Sequence, residues 1–251
     1  MLMKVLILIA HGCFDGKSNA HTLAFAAEES LKNAGHEVRV VDLVKAGFNV
    51  TASMDDFNHV EQKRSHFDYM ENAADSKNLK PNVLEQQENI RWATHIIICA
   101  PIWWHGLPSS YYAFFERVFT TNFGFDDEHT LAKGYFTDKK VMLAVTAGGS
   151  QVYYSRASHF PLEATLYPVH VGHFYYAGCQ IMRTQAFYDV YDQIPNEQIE
   201  KWKKAVLNID IRPILPIQPR GHTESDIEIF ARLPDYTLDD AINEKPKQKE
   251  L

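Results

Sequence analysis

The chain has 251 residues, 45% of them apolar, and a formal net charge of −7. That length suits one sizeable core with appendages, and the acidic balance argues against nucleic acid or an anionic membrane surface as the main partner, because both need a net basic face. Cys13, Cys99 and Cys179 are far apart, odd in number and without Cys-x-x-Cys spacing, which argues against a disulfide or zinc framework and fits a reducing, cytoplasmic setting.

The apolar run at residues 5–10 is too short for the core of a secretory signal and reads as a buried first strand. No stretch approaches the roughly 18 apolar residues of a membrane span, so no membrane insertion is expected. Ala20, Leu23, Ala24, Ala27, Leu31 and Ala34 then mark one face of a helix that Ser18 or Asn19 caps and Gly35 stops. "HEVRVVDL" reads as a second strand. Residues 44–84 show no strong periodicity, although "SMDDF" can open a short helix; a connection of that length usually covers a site or a partner. Regularity returns with "VLEQQENIRWA" as helix, "HIIICA" as a buried strand and "PSSYYAFFERVF" as a helix starting at Pro108. "KKVMLAVTAGG" is a fourth strand running into glycines, "GHFYYAGCQIM" a fifth, and "PNEQIEKWKKAVLNI" the last helix. Strands separated by helices imply parallel pairing and a doubly wound five-stranded α/β sheet. Beyond Ile211 the prolines at 213, 216 and 219 predict an extended arm, and "NEKPKQKEL" a polar tail. The expected division is therefore a domain over residues 1–210 and an arm with tail over 211–251.

Open parallel sheets bind ligands beyond the carboxyl ends of their strands, where the strand order reverses. The loops after strands one, three and four come first for that reason. "GCFDGKS" looks like a triphosphate loop, but the glycine required ahead of four residues and Gly16 is His11, so the motif fails by spacing. The loop still leads into a helix N-terminus with Lys17, Ser18 and Asn19 as donors, which suits a phosphate or pyrophosphate; a solvated turn is the equally weighted plain reading. After the third strand, "PIWWHGLP" sets Trp103 and Trp104 side by side, and such a pair has to meet core, a partner subunit or a flat ligand. After the fourth, Gly148 and Gly149 allow two N–H groups to converge on an electron-rich oxygen. Tyr154 and His159 follow closely and together can buffer a proton. His170 and His173 lack acidic or cysteine company in sequence, so no metal site is expected.

Taken together, Pro101, Trp104, Gly106 and Pro108 with the adjoining "FERVF", and the "GGS" with its downstream Tyr-Ser and His, resemble the flavodoxin-like NAD(P)H:quinone oxidoreductases of the DT-diaphorase type and their bacterial relatives. The resemblance covers roughly residues 1–208. It implies a flavodoxin-like fold, a bound flavin, NAD(P)H as donor and a quinone or similarly flat acceptor, with azo and nitro compounds also open. Carried across, it puts the flavin phosphates near His11, Lys17, Ser18 and Asn19, and the ring along Pro101, Ile102, Trp103, Trp104 and His105. Thr146, Ala147, Gly148, Gly149 and Tyr154 would face the ring's other edge. Tyr154 and His159 match the family's proton-handling pair, and Trp104, Phe125, Tyr154 and His159 would line the acceptor pocket. An arginine expected near the adenine end has no counterpart, which leaves FMN open beside FAD. The resemblance further implies ping-pong kinetics and a homodimer with interfacial pockets. Two rivals share the fold: a one-electron flavodoxin carrier, and an ancillary flavoprotein of a membrane transporter.

Overall fold

The apolar runs become the centre of a parallel sheet because they can bury both faces. In the computed structural model, which describes residues 2–13, 15–63, 65–218 and 225–246, the strands are β1 (Lys4–Ile9), β2 (Glu37–Asp42), β3 (His95–Pro101), β4 (Lys140–Thr146), β5 (Gln180–Ile181) and β6 (Gln185–Phe187). Their order is β2-β1-β3-β4-β5, all parallel, with β6 also pairing with β4. The order reverses between β1 and β3, so the crevice predicted for a ligand opens there.

Side chains alternate between two cores, as a strand period of two requires. Leu6, Leu8, Ile96, Ile98, Leu143 and Val145 pack on one face, and Val5, Ile7, Ile9, Ile97, Cys99, Met142 and Ala144 on the other. The helices are α1 (Asn19–Asn33), α2 (Tyr69–Ala73), α3 (Pro81–Trp92), α4 (Ser109–Val118), α5 (Leu162–Thr165), α6 (Asn196–Ala205), α7 (Asp226–Ala231) and α8 (Leu238–Asn243). Ser18 caps α1 by accepting from the His21 N–H, and Gly35, at φ +85°, lets the chain leave it. Fully buried Trp202 on α6 donates its indole N–H to the Leu23 carbonyl at 2.9 Å, locking α6 to α1. On the opposite face, the segment from 44 to 80 packs on α4. There the buried Asp56 carboxylate accepts from the Arg117 Nε at 2.8 Å and from Tyr69 Oη at 3.0 Å, while Arg117 also donates to the Gly47 carbonyl at 2.7 Å.

Two expectations need correction. The predicted fifth strand shrinks to Gln180–Ile181, because Pro168–Tyr175 coils as a π-helix and Gly178, at φ +103°, turns the chain. A β-carbon on Gly134 would stand 2.4 Å from the Ala177 carbonyl carbon, so two glycines seal that turn. The extended arm is also shorter than expected. It runs beside β5, with Leu215 N–H donating to the Ile181 carbonyl at 2.7 Å, and Pro219 lies outside the described residues. Residues 225–246 then form α7 and α8, each started by a capping box, Ser225 with Glu228 and Thr237 with Asp240. Phe230 and Ala241 bury against the two cores. Among the described residues no helix is long and apolar enough to cross a membrane.

Candidate functional site

Three loops leave the carboxyl ends of β1, β3 and β4 and meet. In the first, His11 accepts from the Cys13 N–H at 3.0 Å, Asp15 accepts from the Lys17 N–H at 3.1 Å, and the Cys13 thiol also pairs with Asp15. Burial, then the neighbouring His21, holds the His11 imidazole below its usual value. The Ser18 hydroxyl lies 2.7 Å from His21 Nδ1, and His21 Nε2 lies 3.0 Å from the Asp42 carboxylate, which Lys45 approaches to 3.3 Å. Burial works to raise the Asp42 carboxyl, yet hydrogen bonds from His21 and Lys45 outweigh it and keep it ionised. Asn19 is engaged elsewhere: its amide donates to the Asp192 carbonyl at 2.7 Å and accepts from the Ile194 N–H at 3.1 Å. The predicted anion donors are thereby narrowed to the first main-chain N–H groups of α1, the exposed Lys17 and the Ser18 hydroxyl.

The second loop is a tight reversal. Trp103 and Gly106 exchange two main-chain hydrogen bonds at 3.0 Å, and the residues between them, Trp104 and His105, sit at φ +52° and +59°. That is a type I′ turn, in which side chains other than Gly, Asn and Asp are costly by about 1–3 kcal/mol each. Gly106 is fixed by space, since a β-carbon there would stand 2.9 Å from the Tyr112 hydroxyl. The Ile102 N–H donates to the Thr146 carbonyl at 2.8 Å, tying this loop to the third, and the Trp103 indole meets the His11 ring at 5.2 Å, tying it to the first. The turn throws the Trp104 side chain into solvent, 100% exposed. His105 goes the other way and stacks face to face on Phe160, with centroids 3.8 Å apart and planes 6° from parallel.

The third loop is held by neighbours of β6. Val190 N–H donates to the Ala147 carbonyl at 3.0 Å and Asp189 N–H to the Gly149 carbonyl at 3.2 Å. A β-carbon on Gly149 would press to 3.0 Å from the Tyr154 ring, so glycine lets that ring close over the main chain. Tyr154 is buried and stacks on Tyr188 at 6.0 Å; burial, then Tyr153, pushes its phenol above the usual value, so it remains protonated and a donor at neutral pH. His159 is exposed at the loop's end, and among the described residues no hydrogen bond joins it to Tyr154. For Phe125 the ring contact is with Tyr176 at 5.9 Å, and among the described residues no ring contact joins it to these three loops.

Sequence reasoning missed what supports the third loop. Leu162 N–H donates to the Tyr154 carbonyl at 2.9 Å, and beside it the buried Glu163 carboxylate accepts from His170 Nε2 at 3.0 Å, Arg183 Nε at 2.9 Å, and the Thr184 N–H and hydroxyl at 2.9 and 2.7 Å. Burial alone would raise the Glu163 carboxyl, but these partners bring it down to about 2. His170 is thus a buried partner of Glu163. Arg183 continues to the Pro234 carbonyl at 2.6 Å, and Gln151 donates to Asp235 at 2.9 Å, so the C-terminal segment braces the same loop. Tyr153 and Phe160, which complete the aromatic wall, carried no signal beyond being aromatic.

The sequence matches the flavodoxin-like fold family over residues 3–209. It is 30% identical over 215 residues to NAD(P)H dehydrogenase [quinone] 1 of Cavia porcellus, covering 83% of this chain and 78% of that protein. It is 29% identical over 236 residues to a ribosyldihydronicotinamide dehydrogenase-like protein of Penicillium crustosum, covering 90% and 88%. A crystal structure from Klebsiella pneumoniae, assigned as a quinone reductase, superposes with a TM-score of 0.77 at 26% identity over 88% of this chain and 90% of that one. With the strand order, the three converging loops and these likenesses in agreement, the chain belongs to the flavodoxin-like family and, within it, to the group of the NAD(P)H dehydrogenases (quinone).

Proposed function

We propose that the protein is a flavin-dependent oxidoreductase that moves electron pairs from NAD(P)H to quinones. The observation that carries this reading is the convergence of three loops at the switch in strand order: a helix N-terminus at one end, a fully exposed indole and an aromatic wall at the other. The residues fit a flavin on the structure's own terms. The α1 N-terminus with Lys17 supplies positive potential for a phosphate, the Trp104 indole offers a flat apolar surface, and Gly148 keeps the main chain approachable. FAD is the first candidate and FMN the second.

When bound, the flavin supplies the two-electron exchange between nicotinamide and quinone. The chain's own residues bind, orient and manage charge around it. Main-chain N–H groups of the third loop and the protonated Tyr154 phenol stand ready to stabilise negative charge. His159, exposed at the loop's end, is the second member of the proposed proton-handling pair. With one open face above Trp104, donor and acceptor take turns, which predicts ping-pong kinetics. The exposed Trp104, Val152 and Tyr191 support a homodimer in which a second copy helps cover the pocket. Steady-state rates with NADH or NADPH and menadione test the reading: parallel double-reciprocal plots are expected, and intersecting plots would refute shared occupancy.

A further inference from the structure

The His105 imidazole has an unexplained feature. Its Nδ1 is buried and has no hydrogen-bond partner among the described residues. Nε2 of the same ring has no such partner either, but it is not buried. The ring is clamped: Phe160 stacks on it at 3.8 Å, Tyr153 lies near-parallel at 6.0 Å, and Tyr154 stands 6.3 Å away. Its main chain is held in the left-handed region by the Trp103–Gly106 hydrogen-bond pair.

A neutral imidazole carries one proton. On Nδ1 that proton would be a buried donor with no acceptor, the rarer and costlier kind of orphan; on Nε2 it sits on a nitrogen that is not buried, and Nδ1 keeps only a lone pair. The parallel stack on Phe160 fixes the plane of the ring, so both nitrogens stay in that plane. A strained turn, a ring held in one plane and an unburied Nε2 without a partner together make a donor beside the aromatic rings of the third loop.

Building on the functional reading above, we propose that His105 determines acceptor specificity: its Nε2–H donates a hydrogen bond to an oxygen on the edge of a flat acceptor that enters beside the Tyr153, Tyr154 and Phe160 rings. The acceptor class is therefore planar aromatics bearing a carbonyl oxygen at the rim, and equally flat molecules without one are bound more weakly. Orientation follows as well, since one edge is fixed while the ring remains free to stack.

The test has two arms on the full-length chain. Long-range nitrogen–proton NMR of histidine-labelled protein, without any ligand, should show His105 protonated at Nε2; protonation at Nδ1 overturns the proposal. Flavin-loaded, oxidised protein is then titrated with menadione and with 2-methylnaphthalene. Wild type should prefer menadione by roughly 10-fold, the scale of one hydrogen bond. His105→Phe, which keeps the stack, should abolish that preference, and His105→Gln, which keeps a donor, should restore part of it. An unchanged preference in His105→Phe overturns the role of His105 and leaves the flavin reading intact. Protein that takes up no flavin overturns that reading instead.

Discussion

Replacing Glu163 by glutamine separates its charge from its shape. The amide can keep its carbonyl toward Arg183 Nε and the Thr184 N–H, and present its NH2 to the Thr184 hydroxyl and His170, which are able to reverse their roles. What is lost is the carboxylate that pairs with the buried Arg183 guanidinium. Removing one member of such a pair costs about 3–5 kcal/mol. The titration gives a matching figure: holding a carboxyl at about 2 instead of 4.5 contributes roughly 3 kcal/mol at neutral pH. Because the folded value is depressed, this stability is present above the unfolded value and is lost as pH falls through the folded one. The gap between wild type and Glu163→Gln in urea unfolding should therefore be about 3 kcal/mol at pH 7 and roughly half that at pH 3. Hydrogen exchange should rise over residues 150–162, since Leu162 anchors the Tyr154 carbonyl next door. A gap below about 1 kcal/mol at pH 7, or one that does not narrow in acid, would refute the reasoning.

Trp104→Ala removes a side chain that touches solvent, so stability should stay within about 0.5 kcal/mol while flavin or menadione affinity, read by fluorescence titration, falls at least roughly 10-fold. Asp56→Asn leaves Arg117 buried beside Gly47 without its carboxylate and should cost about 3–5 kcal/mol in urea unfolding. Tyr154→Phe combined with His159→Ala should slow flavin reduction by roughly 10- to 1,000-fold in stopped-flow mixing with NADH, the scale of losing a preorganised donor.

The sheet was legible because β1, β3 and β4 are buried on both faces and read as continuous apolar runs between helices of clear period. The run from Gly172 to Met182 misled for the same reason: its aromatics fill a core equally well from a π-helical coil, and length alone cannot tell the two apart. Ser225-x-x-Glu228 and Thr237-x-x-Asp240 were readable helix starts hidden by the prolines before them. At the site, residue types and loops could be named in advance, while their bonding could not. Asn19 spends its amide on residues 192 and 194, Ser18 pairs with His21, and Glu163 gathers His170, Arg183 and Thr184 from across the fold. The left-handed Trp104 and His105 break the usual turn chemistry, so no Asn-Gly or Asp-Gly signal announced that turn.

The central claim is that the three loops hold a flavin, and the most direct measurement is the absorbance spectrum of the purified protein, followed by release and identification of the chromophore. The account predicts yellow protein, or colourless protein that takes up added FAD or FMN in a one-to-one ratio and is bleached by NADH or NADPH. Protein that stays colourless in an excess of both flavins would contradict it.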